Sequence, residues 1–229
     1  MKRAFPNKTN RKDSFTRSLF ISIACLLWVS TVLAQEQLAR QWELQSSSLE
    51  FTAEDIDHLR IENSTSGKLE LVLKDEQPFA RTVVFQKHQS FSELKISKET
   101  TELAPTVFRK FITEELQRAS VIVRIPKDKA LVVTVRETSI EVANYDGNLT
   151  IFSQRGNIQL HTVKQATSIQ LFQGTITATI DGSFELQSNK GTITVNDQPC
   201  VSPCSQKMVA GPLLKVQSIH AHIFVRTLE

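Results

Sequence analysis

The chain has 229 residues, 27 of them basic and 24 acidic, for a formal charge of +3. The excess sits at the front, where Lys2, Arg3, Lys8, Arg11, Lys12 and Arg17 face the single Asp13. Without residues 1–34 the chain has 21 basic and 23 acidic residues, a net charge of −2, so nothing in the composition argues for nucleic-acid binding, which needs a basic face.

The basic stretch is followed by an apolar run from Leu19 to Val29 and then by Ser30-Thr-Val-Leu-Ala34. Val32 and Ala34 suit the small-residue positions before a cleavage site, which predicts a signal peptide over 1–34 and Gln35 as the first mature residue. An uncleaved anchor is the rival reading. The apolar stretch, about 16 residues, is shorter than the roughly 20 a spanning helix needs. Lipidation at Cys25 would leave the apolar residues up to Ala34 as an exposed tail. Export to the periplasm, the outer membrane surface or the medium is therefore expected. The mature chain of about 195 residues is of a size for one domain or two small ones.

Residues 35–53 read as a linker or edge strand, with a weak apolar signal at Leu38, Trp42 and Leu44. Alternation begins at Ile56, Leu59 and Ile61, breaks at Asn63-Ser-Thr-Ser-Gly67 and resumes at Leu69, Leu71 and Leu73, which predicts a hairpin-like pair. Val83-Val-Phe85 and Leu94-Lys-Ile96 predict two further short strands. Over residues 105–119, Val107, Phe108, Phe111, Ile112 and Leu116 recur at helical spacing. One short helix is expected there, with a strand and long loop as the alternative. Ser120 to Ile125 returns to strand character before Pro126, and Leu131 to Val135 leads into a repeat.

Five of the seven glycines fall between Gly147 and Gly191, each followed by alternating apolar and polar residues. The runs are Gly147-Asn-Leu-Thr-Ile, Gly156-Asn-Ile-Gln-Leu, Gly174-Thr-Ile-Thr-Ala-Thr-Ile, Gly182-Ser-Phe-Glu-Leu and Gly191-Thr-Ile-Thr-Val. Such periodicity divides each strand into an inner apolar row and an outer polar one. One rung cannot bury its inner row alone, but neighbours about 4.8 Å away share a core, and each inward Ile or Leu contributes roughly 1.5–3 kcal/mol. Rungs of about nine residues are expected, with glycine supplying a positive φ at each corner. The step of 18 between Gly156 and Gly174 then reads as two rungs, with Ala166 near the corner that lacks a glycine. The fold class is all-β: a β-solenoid of single-stranded coiled repeats, a strand-rich N-terminal part and the one short helix.

The segment from Ile56 to Leu73, the strand ending Val-Arg-Ile-Pro126 and the glycine-led repeats resemble the bacterial putative-adhesin domains, the exported, head-domain type common in the Bacteroidetes. The resemblance covers residues 54–229, with Val216 to Ile223 as a last rung in which His220 and Ala221 stand where other rungs have glycine. It implies a β-solenoid and carries over no binding residues. The loop over 196–211, with its two cysteines, departs from the family pattern.

Cys200 and Cys204 are the only cysteines after the leader, and an exported chain is expected to join them. A metal or redox Cys-x-x-x-Cys site is the alternative. His220 and His222 would share one face of a strand, a spacing that suits a metal, but no third ligand can be named and no cofactor is expected. Asp146 and Asp181 precede glycine as turn residues, and Glu141, Glu185 and Asp197 complete the acids of the repeats without forming a recognisable pair. The outer row offers Thr150, Gln170, Thr175, Thr177, Thr179, Thr192 and Thr194, with Phe152 and Phe172 as apolar exceptions. A regular threonine ladder could bind ice, whereas the two phenylalanines mark either an interaction patch or a face covered by other strands. The function expected from the sequence is that of an exported, non-enzymatic scaffold or binding module for an envelope protein or a glycan. A carbohydrate-active solenoid enzyme and a self-associating structural protein are the alternatives.

Overall fold

The structure, a computed structural model, describes residues 37–75, 81–98 and 119–228. They form sixteen strands and, among the described residues, no helix: β1 (Gln37–Trp42), β2 (Ser48–Ala53), β3 (His58–Asn63), β4 (Leu69–Asp75), β5 (Arg81–Lys87), β6 (Ser92–Lys98), β7 (Ala119–Ile125), β8 (Ala130–Glu137), β9 (Ser139–Asn144), β10 (Leu149–Val163), β11 (Thr167–Ile180), β12 (Ser183–Ser188), β13 (Ile193–Val195), β14 (Gln198–Cys200), β15 (Cys204–Gln206) and β16 (Leu213–Thr227). The leader over 1–34 and all but the last residue of the helix expected over 105–119 lie outside the described residues.

Pairing sorts these strands into two faces. One runs β5-β6-β2-β8-β10-β11-β16-β12-β15 and the other β1-β4-β7-β3-β9-β10-β11-β16-β13-β14. The long strands β10, β11 and β16 belong to both, giving their first halves to one face and their second halves to the other. Leu149 lies between Leu131 and Thr167 on the first face, and Ile158 between Ile140 and Ile176 on the second. Both offsets are eighteen residues, so the step from Gly156 to Gly174 is one complete layer of two faces and not two rungs. The nine-residue period describes half a layer.

Spatial order departs from chain order near both ends. β16 lies parallel between β11 and the β12–β13 layer, so the C-terminal strand is an interior layer, not the last rung. The β2–β3 layer is likewise inserted between β8–β9 and β6–β7. Residues 48–53 thus lie within the stack, whereas β1 pairs only with β4. β3 and β4 do not form the expected hairpin, because β7 separates them. At each end an antiparallel layer turns the chain back: β5 and β4 pair against β6 and β7, and β15 and β14 against β12 and β13. The sheet does not close on itself.

The inner row expected from alternation is buried throughout the repeats except at Val195, and it joins residues of both faces in one apolar core. The two faces meet along a column at which Thr138, Gly156, Gly174, Ala221 and Gly191 lie in register. Gly156 and Gly174 have φ of 147° and 144°, and a Cβ on Gly174 would stand 1.8 Å from the carbonyl oxygen of Gly156. Backbone stacks directly on backbone there. The positive φ expected at every corner is confined to these two of the five repeat glycines; at Gly191 the requirement is the close approach of the Ala221 carbonyl. Beside this column three serines, Ser153, Ser218 and Ser188, take inner positions in register with Leu171. Ser188 Oγ donates to the Ala221 carbonyl and Ser218 Oγ accepts from the Ala221 amide, so the bend satisfies its own buried polar groups.

Candidate functional site

The residues proposed for one binding row occupy two different faces. Thr150, Phe152, Gln170 and Phe172 lie on the first face, whereas Thr175, Thr177, Thr179, Thr192 and Thr194 lie on the second. On the second face β16 separates the two groups of threonines. His222 stands between Thr175 and Thr192, Phe224 between Thr177 and Thr194, and Arg226 follows Thr179. Thr192 Oγ1 is 2.8 Å from His222 Nδ1, so that hydroxyl is already engaged. Among the described residues no continuous threonine ladder is formed, so the regular arrangement that ice binding calls for is not present there. His220 and His222 do not act as a pair, since the His220 ring packs against Phe172 at 5.6 Å, on the other side of the Ala221 corner from Thr192.

Further along the second face the outward residues are charged and mutually paired. Glu70, Arg124 and Glu62 lie in register on β4, β7 and β3, and Arg60 lies beside Glu141 on β9. Arg124 holds Glu62 at 3.1 Å and Glu70 at 3.4 Å. Burial works to raise the Glu62 carboxyl, but hydrogen bonds from Arg60 and Arg124 outweigh it and keep the group below its ordinary value. Glu141 is shared by His161 at 3.0 Å, Arg60 at 3.5 Å and His58 at 3.7 Å. Asp146 is bonded by Lys164 at 2.9 Å and by Asn63, and the Lys164 contact, acting against burial, lowers its pKa. Asp197 stands 3.9 Å from Arg226. These acids bind neighbouring strands together, and no two of them converge on an open groove.

The first face is different. Two outward rows cross its strands, one through Thr134, Phe152, Gln170, Gln217 and Gln187, the other, two residues nearer the corner, through Arg136, Gln154, Phe172, Ile219 and Asn189. Together they line a cleft of about 670 Å³. Phe152 is 36% exposed, Phe172 51% and Ile219 40%, where strict alternation calls for polar residues. No carboxylate lines the cleft, and Arg136 is its one charged residue. Among the described residues, none of the Gln154, Gln170, Gln187, Gln217 and Asn189 side chains has a hydrogen-bond partner. Neither the N-terminal strands nor any other described element covers this face; those strands extend the stack instead.

Phe152, Gln170 and Phe172 were legible in sequence as members of this surface. Ile219, Gln187 and Gln217 were not, because they reach it only through the insertion of β16 between β11 and β12. The signal for Ile219 was Ser218, which takes the inward position and turns its neighbour outward. Cys200 and Cys204 form the expected disulfide at the turned-back end, where the chain passes from β14 on one face to β15 on the other.

No family profile and no curated protein matches this chain. Among solved structures it is similar to a putative cell adhesion protein from Clostridium sporogenes, with a TM-score of 0.61 and 8% identity, over 84% of this chain and 99% of that one. A putative adhesin from Bacteroides fragilis matches at a TM-score of 0.39 and 10% identity, over 85% and 98% of the two chains. At 8% identity the Clostridium likeness is one of fold alone, over nearly the whole of that putative cell adhesion protein.

Proposed function

We propose that this chain is an exported β-solenoid of the cell envelope that works without catalysis, as a scaffold or binding module for an envelope protein or a glycan. The eighteen-residue register on both faces supports the solenoid reading, since β8–β9, β10 and β11 follow the same path one after another. The basic, apolar and small-residue segments of the leader support export. The fold likeness is to a putative cell adhesion protein, which accords with a binding role. The observation that carries the reading is the cleft on the first face. Exposed aromatic rings and unengaged amides, gathered from four strands, form a surface whose polar groups satisfy nothing within the described protein. Glu141, Asp146 and Asp197, by contrast, are engaged by neighbouring strands, which supports a role other than hydrolysis.

The test is crosslinking in the producing cell. A diazirine-bearing residue replaces Gln170 in the cleft or, for comparison, Thr177 on the second face, and mass spectrometry identifies what is captured. Adducts concentrated at position 170 support a binding module that uses the first face. Equal capture from both positions removes the cleft from the function, and capture of the chain's own copies alone replaces the binding module with self-assembly.

A further inference from the structure

The geometry points to a neutral glycan chain as the occupant of the first-face cleft, lying along the stacking direction across β10, β11 and β16. This rests on the binding-module reading and narrows it from two ligand classes to one.

Charge is the first argument. The cleft has no carboxylate and a single cation, Arg136, at its β8 edge. A strongly ionic partner would find almost nothing to pair with, whereas an uncharged ligand loses nothing by being placed there.

Hydrogen-bonding capacity is the second. Gln170, Gln217 and Gln187 succeed one another across three strands at a spacing of about 4.8 Å. Each primary amide offers two N–H donors and a carbonyl acceptor, and here all three lack partners among the described residues. Sugar hydroxyls donate and accept at once, so a row of amides matches them without demanding one protonation state. A peptide adding itself as a strand would instead need free backbone edges, and this row lies on a sheet face whose backbone is already paired on both sides.

Shape is the third. Phe152 and Phe172 stand one strand and two residues apart, presenting two offset apolar surfaces beside the amide row. A pyranose ring has an apolar C–H face and a rim of hydroxyls, so it can lie on a phenyl ring while its rim meets the amides. The cleft volume, about 670 Å³, is within the roughly 300–1,000 Å³ of small-ligand sites. A stable protein interface would instead require about 800 Å² of surface from each partner.

The experiment uses the mature chain on an immobilised array of neutral oligosaccharides (glucans, mannans and N-acetylhexosamine oligomers), with an oligogalacturonate as the acidic comparator. Titration calorimetry follows on whichever probe binds. Binding to a neutral oligosaccharide is expected, weakened roughly tenfold or more by Phe172→Ala and by Gln217→Ala and unchanged by Thr177→Ala. Thermal melts of the three variants show that the fold is retained. Failure to bind any neutral oligosaccharide, preference for the galacturonate, or binding that survives both cleft substitutions overturns the inference. If binding fails while crosslinking at position 170 still captures an envelope protein, the binding module stands and only its glycan ligand falls. If both fail, both readings fall together.

Discussion

The two faces share β10, β11 and β16, yet they treat their outward polar residues in different ways. On the second face Arg60, Arg124, Glu62, Glu70 and Glu141 satisfy one another across neighbouring strands, so side chains that look like surface chemistry serve the stack. On the first face the amides of Gln170, Gln187 and Gln217 satisfy no described residue, and aromatic rings stand exposed among them. β10 makes the contrast within a single strand: Phe152 lies on one side of Gly156 and His161, bonded to Glu141, on the other. A residue type alone therefore says little about function in a stack of this kind. Whether a neighbouring layer answers it decides.

The largest effect is expected where the two faces meet. Gly174→Val must place a Cβ 1.8 Å from the Gly156 carbonyl oxygen, at a φ of 144° that side chains rarely adopt. Neither neighbour is a flexible side chain, so the layers must separate. A loss on the order of 4 kcal/mol is expected, near the upper end for single substitutions. Urea unfolding followed by circular dichroism measures it. A loss below about 1 kcal/mol would show that the corner can relax and that the faces are not coupled through it.

Next comes the turned-back end, where Cys200–Cys204 links β14 on one face to β15 on the other. A ring this small constrains the unfolded chain modestly, by about 2 kcal/mol in the chain-entropy account. The double substitution to serine is expected to lower stability by that amount, while the cleft, which draws on neither β14 nor β15, keeps its ligand affinity. Comparing urea midpoints with binding in the same preparations separates a cap that stabilises from one that shapes the site.

A smaller effect is expected from Arg124→Met on the second face. Arg124 bridges Glu62 and Glu70, is partly exposed, and should contribute about 1 kcal/mol at neutral pH. The sign of its pH dependence follows from Glu62, whose carboxyl is held below its ordinary value. Stability from such a group is present above its unfolded pKa of about 4.3 and is lost as pH falls through the lower folded value. Acidification below about pH 4.5 should therefore lower the melting temperature of the natural chain more steeply than that of the variant. Parallel curves would mean that the row is not energetically coupled.

What the sequence disclosed follows from what is local. Alternation located the inner row because burial acts on every second residue, and Cys200 and Cys204, four positions apart, are the only cysteines among the described residues. The layer of eighteen residues was hidden because the break in alternation at Gly156 and Gly174 reads like any turn, and does not record that one continuous strand passes there from one face to the other. The neighbours of Gln217 were hidden for another reason. Nothing within residues 213–227 records that they pair with β11 on one side and β12 on the other. The second face was misread as one surface with the first because alternation within each run tells inward from outward residues but not which face the run belongs to. Phe152 and Phe172 remained visible, since an exposed aromatic breaks the pattern wherever it falls.

The smallest expected effect sharpens the comparison most. Phe172 is 51% exposed and its described ring contact is with His220, so Phe172→Ala should change stability by no more than about 0.5 kcal/mol. Leu171, next to it and 2% exposed, is expected to cost 2–5 kcal/mol on the same truncation through lost burial and the cavity left behind. Adjacent positions on one strand should thus differ several-fold in their cost to the fold, with the order reversed for ligand binding in whatever fraction of the protein stays folded. Urea midpoints for the two variants provide the check. If Phe172→Ala proves as costly as Leu171→Ala, the ring is part of the core and the first face has no aromatic site to offer. If it is neutral, the ring owes nothing to the fold and stands free to meet a ligand.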